Sequence, residues 1–247
     1  PQACAKWRVY FEAMLSELAA ATSVDTPSLF HNHLAWMTDA FRSRGVPIEH
    51  LREALRVLRL SLFETLPEAD RAVVFAAIDS FVPRAAEEEV SHLSRNDPAS
   101  QLATRVLVAA LEGERMRACE LLTDAVRNGL SVRDAHERVI CPALREVGRL
   151  WHRGELSVAE EHACTATMQT VLAQLLMIAK PAPRNGRTVL AASVEGNSHD
   201  TGLRMVADAF ERSGYRTVNL GQNVPAEELA LAIQDFGADA VALSATL

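Results

Sequence analysis

The chain has 247 residues, of which 49% are hydrophobic and 23% charged, and its formal net charge is −7 at pH 7. This balance is typical of a globular protein of about one to three domains and not of a disordered chain. The negative net charge argues against a surface that binds phosphates, so we expect no direct DNA binding from this chain.

The cysteines and the apolar runs bear on the cellular compartment. Four cysteines are scattered along the chain without a CxxC pair, which is typical of reduced thiols inside a cell. No apolar run is long enough to span a bilayer, and nothing at the start of the sequence resembles a signal peptide. We therefore expect a cytoplasmic protein without a membrane partner.

Up to about Lys180 the apolar residues recur every three or four positions, which predicts helices. The polar stretch 94–97 is the best candidate for a linker between two groups of helices. The first group predicts an all-helical N-terminal domain over residues 1–96. Its helices are expected at 7–21, at 27–44, from 46 onward, and from 67 to 81 with a continuation past Pro83 into 87–89.

The second group of helices predicts a four-helix bundle over residues 97–180. The spacing of Ser157 and Glu160 is that of a capping box, which marks the start of the last helix. Short links between successive helices favour antiparallel neighbours. The four helices are expected at 97–113, at 114–128, from 131 onward and at 157–179.

Residues 181–247 change to a pattern of short apolar strands that alternate with helices. Strands are expected at 188–194, 217–220 and 240–243, and helices at 202–213 and 226–236. This alternation predicts parallel pairing with right-handed crossovers, hence a Rossmann-like (flavodoxin-like) sheet. Three strands are few for a doubly wound domain, so we expect the sequence to stop short of the end of its α/β domain.

The segment Glu195–Gly202 joins the first strand to its helix, at the sheet edge where such folds bind ligands. Without further context, the histidine of an HxxG loop more often forms a hydrogen bond to a nearby residue than serves as a ligand. Here the segment resembles the D/E-x-H-x-x-G motif of cobalamin-binding domains of the methionine synthase and methylmalonyl-CoA mutase type. His199 and Gly202 match it, while Asn197 replaces the carboxylate. The resemblance implies cobalamin as cofactor, His199 as the lower axial cobalt ligand and Asp200 beside it.

Two further stretches resemble that family. Leu220, Gly221 and Val224 belong to a segment like its post-strand LGxxVP loop, and Ser244 and Thr246 to a stretch like the edge of its third strand. In the family, small hydroxyl residues there line the slot for the nucleotide tail. For Ser244 and Thr246 alone, hydrogen bonding at a strand end is the simpler interpretation.

A second group of residues joins the third and fourth bundle helices. Trp151 and His152 end one helix, and Glu161 and His162 lie in the first turns of the next. Taken without context, these residues indicate a tryptophan in the core and a Glu-Glu-His segment on a helix face exposed to solvent. In a bundle before a cobalamin domain they resemble the light-sensing, adenosylcobalamin-binding regulators of the CarH/LitR type. That resemblance implies that Trp151 covers the adenosyl group, that Glu161 and His162 contact it, and that His152 becomes the upper cobalt ligand after photolysis.

Residues 1–96 depart from those regulators, which begin with a basic, MerR-type DNA-binding domain. We therefore predict a cobalamin-dependent photoreceptor with a different output, acting as a homo-oligomer or through a downstream signalling partner, and not an enzyme in the turnover sense. Some relatives of this sensor hold a bilin beside cobalamin, which a helical N-terminal domain permits. The alternatives are a corrinoid methyl carrier of a methyltransferase system and a cofactor-free interaction module.

Overall fold

The computed structural model describes residues 2–83 and 90–245, and the side chains of residues 2–6 fall outside that description. It has two compact units. The first comprises the described part of residues 1–89 together with His152–Glu155, and the second comprises Val90–Trp151 and the described residues from Leu156 onward. Within these ranges, none of the helices combines the length and the apolarity needed to cross a membrane.

The first unit is helical, as its sequence predicts. Its helices are α1 (Gln2–Ser23), α2 (Pro27–Ser43), α3 (Ile48–Thr65) and α4 (Glu68–Asp79). Their apolar stripes meet in a core around Phe30, Leu34 and Met37 of α2. Helix α4 ends before Phe81 because Val82, which precedes Pro83, is disfavoured in helical conformation. The predicted continuation over residues 87–89 lies outside the described residues.

The second unit begins with a helical bundle whose core includes Leu122, Ile140 and Met168. Asp97 caps α5, Ser131 caps α7, and the predicted capping box of Ser157 and Glu160 is present at α9. The elements are α5 (Pro98–Leu111), α6 (Arg115–Arg127), α7 (Val132–Asp134), a π-helix (Ala135–Ile140), α8 (Cys141–His152) and α9 (Val158–Ile178).

The π-helix interrupts what the sequence predicts as one regular helix after Ser131. Pro142 explains the interruption, because a proline inside a helix lacks the N–H and its ring collides with the carbonyl four residues earlier. Widening the helix just before Pro142 relieves that collision, and the N–H of Cys141 accordingly bonds to the carbonyl of His136, five residues back.

The same unit ends in a three-stranded parallel sheet of order β2-β1-β3. Because the two crossovers run in opposite directions across the sheet and crossovers are right-handed, α10 and α11 cover opposite faces. The predicted fold class, helical segments followed by a Rossmann-like sheet, is confirmed. The elements are β1 (Thr188–Val194), α10 (Thr201–Arg212), β2 (Arg216–Val224), α11 (Ala226–Phe236) and β3 (Ala240–Ser244).

Strand β2 corrects one prediction, since it extends to Val224 and not to Leu220. The LGxxVP segment was expected to be a loop after the strand, but it pairs with β1 through two register shifts. Gly221 lies at these shifts with a φ of 81°, a backbone conformation that glycine adopts without a steric cost.

A buried carboxylate holds the segment before α5 against α8. The side chain of Glu146 is 7% exposed, forms an ion pair of 2.7 Å with Arg149, and accepts hydrogen bonds from the Ser91 hydroxyl at 3.0 Å and the His92 N–H at 2.9 Å. Burial acts to raise the pKa of Glu146, but these three donors outweigh it and hold the pKa below its ordinary value of 4.5.

Glu146→Gln should lower the free energy of unfolding at pH 7 by about 1–3 kcal/mol, because it weakens the charge-assisted bonds from Ser91 and His92 and removes the ion pair with Arg149. Urea unfolding measures this change. A carboxylate whose folded pKa is depressed stabilises above its unfolded pKa and loses this effect as the pH falls through the folded pKa. The difference between variant and wild type should therefore shrink below pH 4.5.

The matched control is Glu114→Gln, which removes the charge from an exposed ion pair with Arg117. Exposed pairs contribute at most about 1 kcal/mol. If the two variants lose the same free energy of unfolding, the burial of Glu146 does not add to the stabilising effect of its charge.

Candidate functional site at the carboxyl edge of the sheet

The candidate site lies where β1 and β3 end side by side. The chain leaves β1 toward β2 on one side and returns to β3 on the other, so this edge is a topological switch point, where open α/β sheets bind ligands. The loop Glu195–Asp200 follows β1 at this edge, and Ser244 ends β3.

The side chain of Asn197 joins these two strand ends. Its Nδ2 donates to the carbonyl oxygen of Ser244 at 3.2 Å, and its Oδ1 accepts from the backbone N–H of His199 at 2.9 Å. Asn197 is 5% exposed, so both bonds are shielded from water. The amide oxygen therefore bonds to the backbone of His199 and not to its imidazole.

Asn223 braces the same loop, and the sequence did not single it out. Its Oδ1 accepts from the N–H of Gly196 at 2.8 Å, and its own N–H donates to the carbonyl of Asn197 at 3.1 Å. Asn223 has a φ of 56°, a conformation that asparagine tolerates better than most side chains. In the sequence, the one sign of this role is that Asn223 directly precedes Val224-Pro225.

His199 is exposed, and its imidazole has no hydrogen-bond partner among the residues that the structure describes. Its backbone is fixed, because the carbonyl accepts from the buried hydroxyl of Ser193 at 3.3 Å. Asp200 turns away from the loop surface: it is buried and pairs with Arg204 at 2.8 Å, while Gln169 of α9 reaches it at 3.4 Å. The loop therefore presents one unengaged imidazole on a constrained backbone.

The remaining residues predicted for this edge are distributed over neighbouring elements. Gly202 lies in the first turn of α10, and a Cβ added there would meet nothing within 4 Å. Leu220, Gly221 and Val224 are half-buried in β2, and Ser244 ends β3. Thr246 lies outside the described residues.

Trp151, Glu161 and His162 lie at the end of α8 and the start of α9, as the sequence predicts. Trp151 is half-buried. The carboxylate of Glu161 accepts from the hydroxyl of Thr165 at 2.8 Å and pairs with Nδ1 of the exposed His162 at 2.5 Å. A proton on Nδ1 shared with Glu161 leaves Nε2 of His162 as an acceptor.

His152 is buried in the first unit, against α2. Its ring stacks on the indole of Trp36 with centroids 5.3 Å apart, and its Nε2 lies 2.9 Å from the carbonyl oxygen of Trp36. The carbonyl oxygen of His152 accepts from the hydroxyl of Ser43 at 2.6 Å and from Arg44 at 3.0 Å. The sequence signalled none of these contacts.

The donor set at the sheet edge fits a corrinoid. The corrin ring itself supplies four nitrogens to cobalt, so one neutral imidazole is the ligand the protein must add, and His199 offers one. Over the described ranges, no group of three or more His, Cys, Asp or Glu side chains converges as it would around a bare metal ion.

Comparison with known proteins agrees with this fit. Residues 102–176 and residues 187–247 each match a family described as a B12 binding domain. An HTH-type transcriptional repressor, CarH of Myxococcus xanthus, is 35% identical over 139 residues, which are 56% of this chain and 46% of that protein. A corrinoid protein of Desulfitobacterium hafniense is 29% identical over 143 residues, 56% of this chain and 66% of that protein.

Among solved structures, the monomethylamine corrinoid protein of Methanosarcina barkeri is similar with a TM-score of 0.46 and 20% identity, over 58% of this chain and 68% of that one. The chain spans less than two thirds of the length of the two relatives compared by sequence. The two matched segments support cobalamin binding and a place among cobalamin-binding proteins.

Asn197→Asp should destabilise the loop, although a carboxylate is what the family motif has at this position. An aspartate cannot donate to the Ser244 carbonyl and sets two acceptors against each other, which costs about 1–3 kcal/mol when buried. The backbone amides of residues 196–200 should exchange hydrogen for deuterium faster than in the wild type, by the factor that a loss of about 1–3 kcal/mol in loop stability corresponds to.

Asn219→Asp is the matched control. Asn219 is exposed, and its Oδ1 accepts from the N–H of Gly221 at 3.0 Å, a bond that an aspartate keeps. If the amides of residues 196–200 exchange equally slowly in Asn197→Asp and Asn219→Asp, the hydrogen bond between Asn197 and Ser244 does not stabilise the loop.

Proposed function

We propose that this chain is a cobalamin-dependent photoreceptor that takes adenosylcobalamin. The observation that carries cobalamin binding is the unengaged imidazole of His199 at the switch point, within a segment that matches a B12 binding domain. The light-sensing part rests on Trp151, His152, Glu161 and His162, which occur together where light-sensing regulators of the CarH/LitR type have them. The similarity to CarH of Myxococcus xanthus supports it.

At the lower face, His199 would hold the cofactor while Asn197 and Ser193 hold the backbone of His199. Fixing the loop before binding lowers the entropy lost when the ligand is bound. Asp200 contributes through its ion pair with Arg204, which fixes the first turn of α10. When bound, adenosylcobalamin supplies a cobalt–carbon bond that visible light breaks.

At the upper face, Trp151 offers an aromatic ring, on which a base stacks with about 1–3 kcal/mol in nucleic-acid complexes. The Glu161–His162 pair supplies an acceptor at Nε2 and carboxylate oxygens for the hydroxyl and amino groups of an adenosyl group. These three residues would select the adenosyl form over smaller upper ligands.

His152 is proposed as the residue that responds to light. Its Nε2 lies 2.9 Å from the Trp36 carbonyl, its ring stacks on the Trp36 indole, and a neutral imidazole is a good nitrogen ligand for cobalt. A hydrogen bond and a ring stack of this kind are each worth about 0.5–1.5 kcal/mol. A ligand change that favours a different position of the ring would have to offset these contacts with Trp36.

The wider assignments are proposals of the same kind. We infer that the chain signals and does not turn over a substrate, that it does so as a homo-oligomer or through a downstream partner, and that it does not bind DNA directly. A bilin as a second chromophore remains a prediction from the resemblance.

A second candidate function, a corrinoid methyl carrier, is supported by the similarity to a corrinoid protein of Desulfitobacterium hafniense. It requires His199 but gives no role to Trp151, His152, Glu161 or His162. Loading the protein with each cofactor form distinguishes the two functions. A methyl carrier would pass the methyl group of methylcobalamin to a thiol or folate with its methyltransferase and would show no specific response to green light.

His199→Ala should weaken cobalamin binding by at least on the order of 10-fold and remove the spectrum of the histidine-ligated form, because no other imidazole replaces the ligand. Absorption titration measures both effects. The control is His92→Ala, which truncates an exposed histidine of the same unit and should change neither. An unchanged spectrum in His199→Ala would remove the assignment of His199 as a cobalt ligand.

The light response is tested by spectra of the adenosylcobalamin-loaded protein before and after green light. The wild type should change, and His152→Leu should keep the dark spectrum but give a different illuminated one. Trp36→Leu removes the stack on His152 and the other contacts of the indole, including its stack on His33, but keeps the Trp36 carbonyl, so it should reach the illuminated spectrum of the wild type more readily. Identical illuminated spectra for wild type and His152→Leu would exclude His152 from the response.

A further inference from the structure

A cavity of about 700 Å³ lies between the π-helix and α10, on the helix face that points away from the sheet. The sheet-facing side of α10 is formed by Leu203 and Ala207, which pack on Ala191 of β1. The cavity side carries Met205, Val206 and Phe210. Its volume is in the range of small-molecule sites, about 300–1,000 Å³. His199 does not line it, although Gly202, which ends the motif of His199, does.

One wall of the cavity holds the imidazole of His136, which lies on the π-helix. His136 is 5% exposed, and its Nε2 is buried without a hydrogen-bond partner in the part of the chain that the structure describes. Burial, helped by the positive charge of Arg212 and opposed by Glu137, lowers its pKa to about 4. The ring is therefore neutral near pH 7, with a polar atom that folding has dehydrated and left unpaired.

The opposite wall holds Arg212, in the last turn of α10. Its Nε is also buried and unpaired within the described ranges. A guanidinium is always protonated, so Nε is a donor that calls for an acceptor, and its charge favours an anion. Asp208 faces the same guanidinium but pairs with it in no hydrogen bond or ion pair of the described residues. Burial raises the pKa of Asp208 to about 6, although the positive charges of Arg212 and Arg204 oppose this rise.

We propose that this cavity is a second ligand site that binds a small apolar carboxylic acid, with its carboxylate between His136 and Arg212. A carboxylate that enters between them would accept from Nε2 of His136 and from Nε of Arg212, the two buried atoms without a hydrogen-bond partner among the described residues. The apolar body packs on Met205, Val206 and Phe210. The π-helix fits this role, because such segments occur frequently at functional sites, where they position a side chain that a regular helix would misplace.

Of the residues proposed for the cobalamin site, Gly202 alone is among those that line this cavity, and the two sites differ in chemistry, so the two proposals can fail independently. The test uses the whole chain and two matched pairs of probes: 2-naphthoate with 2-naphthylmethanol, and decanoate with decanol. Within each pair only the carboxylate differs. Isothermal titration calorimetry gives the affinities, and the ring-proton resonances of His136 report where the probe binds.

At least one carboxylate should bind, with a dissociation constant on the order of 1 mM or below, and should shift the His136 resonances. Arg212→Gln should weaken that binding at least about 10-fold and leave the neutral probe unaffected. Val206→Trp should block both by filling the cavity. The control, Arg127→Gln, changes an exposed arginine in the last turn of α6 and should have no effect.

Three results would overturn the proposal. The first is no binding of either carboxylate up to about 10 mM, a range that covers weak small-molecule sites. The second is equal affinity for wild type and Arg212→Gln when thermal unfolding shows that the variant is folded. The third result combines two observations: saturating cobalamin prevents binding of the probe, and without cobalamin the bound probe does not shift the His136 resonances. Together they would assign the probe to the cobalamin site.

Discussion

The candidate site depends on the side-chain amide of Asn197, which forms two hydrogen bonds at once, one through its oxygen and one through its nitrogen. Neighbouring parallel strands end with unpaired backbone groups, and here one buried amide satisfies an N–H on the β1 loop and a carbonyl at the end of β3. Only a group with both a donor and an acceptor can do this, which explains why an asparagine stands where the family motif has a carboxylate. The consequence is chemical, since the imidazole of His199 then lacks a carboxylate partner that would raise its basicity.

The sequence predicted the parts of this molecule that local rules determine. The strand at 188–194, the helix at 226–236 and the capping box at Ser157 follow from hydrophobic period and cap chemistry, which act within one turn or one strand. The π-helix was missed because periodicity averages over a window and does not register one proline. The extension of β2 was missed because LGxxVP contains turn residues, and only pairing with β1 makes Gly221 part of a strand.

The site was predictable in its residue types and not in its contacts. Motif and topology together put His199 at the sheet edge. However, the bonds from Asn197 to Ser244, from Asn223 to Gly196 and from Asp200 to Gln169 join residues 27 to 47 positions apart in the sequence. Contacts at such separations are set by how elements pack, and a period-based argument contains no information on them. The same limit applies to His136, whose burial depends on α10, more than 60 residues later.

Two buried polar side chains of the second unit show opposite solutions to the cost of dehydration. Glu146 is surrounded by donors from Ser91, His92 and Arg149, so its charge is retained and fixes a segment. His136 has lost water at Nε2 without gaining a partner among residues 2–83 and 90–245, so the folded state carries an uncompensated penalty. A protein core that only had to be stable would do better with an apolar residue at position 136, and a cost of this kind is expected where a side chain serves a ligand.

If the chain is the photoreceptor proposed above, His152 places a physical limit on how its signal can start. The His152 carbonyl is fixed by Ser43 and Arg44, whereas its ring contacts the partly exposed Trp36 through a hydrogen bond and a stack. Rotation of the ring about its side-chain bonds therefore costs less than movement of the backbone, which would break both carbonyl bonds as well. To move the ring almost wholly from one position to the other, a ligand must bind the second position about 10⁴-fold more tightly than the first, close to 5.5 kcal/mol. The signal would then begin as the uncovering of Trp36 in the helical N-terminal unit, before any helix has to shift.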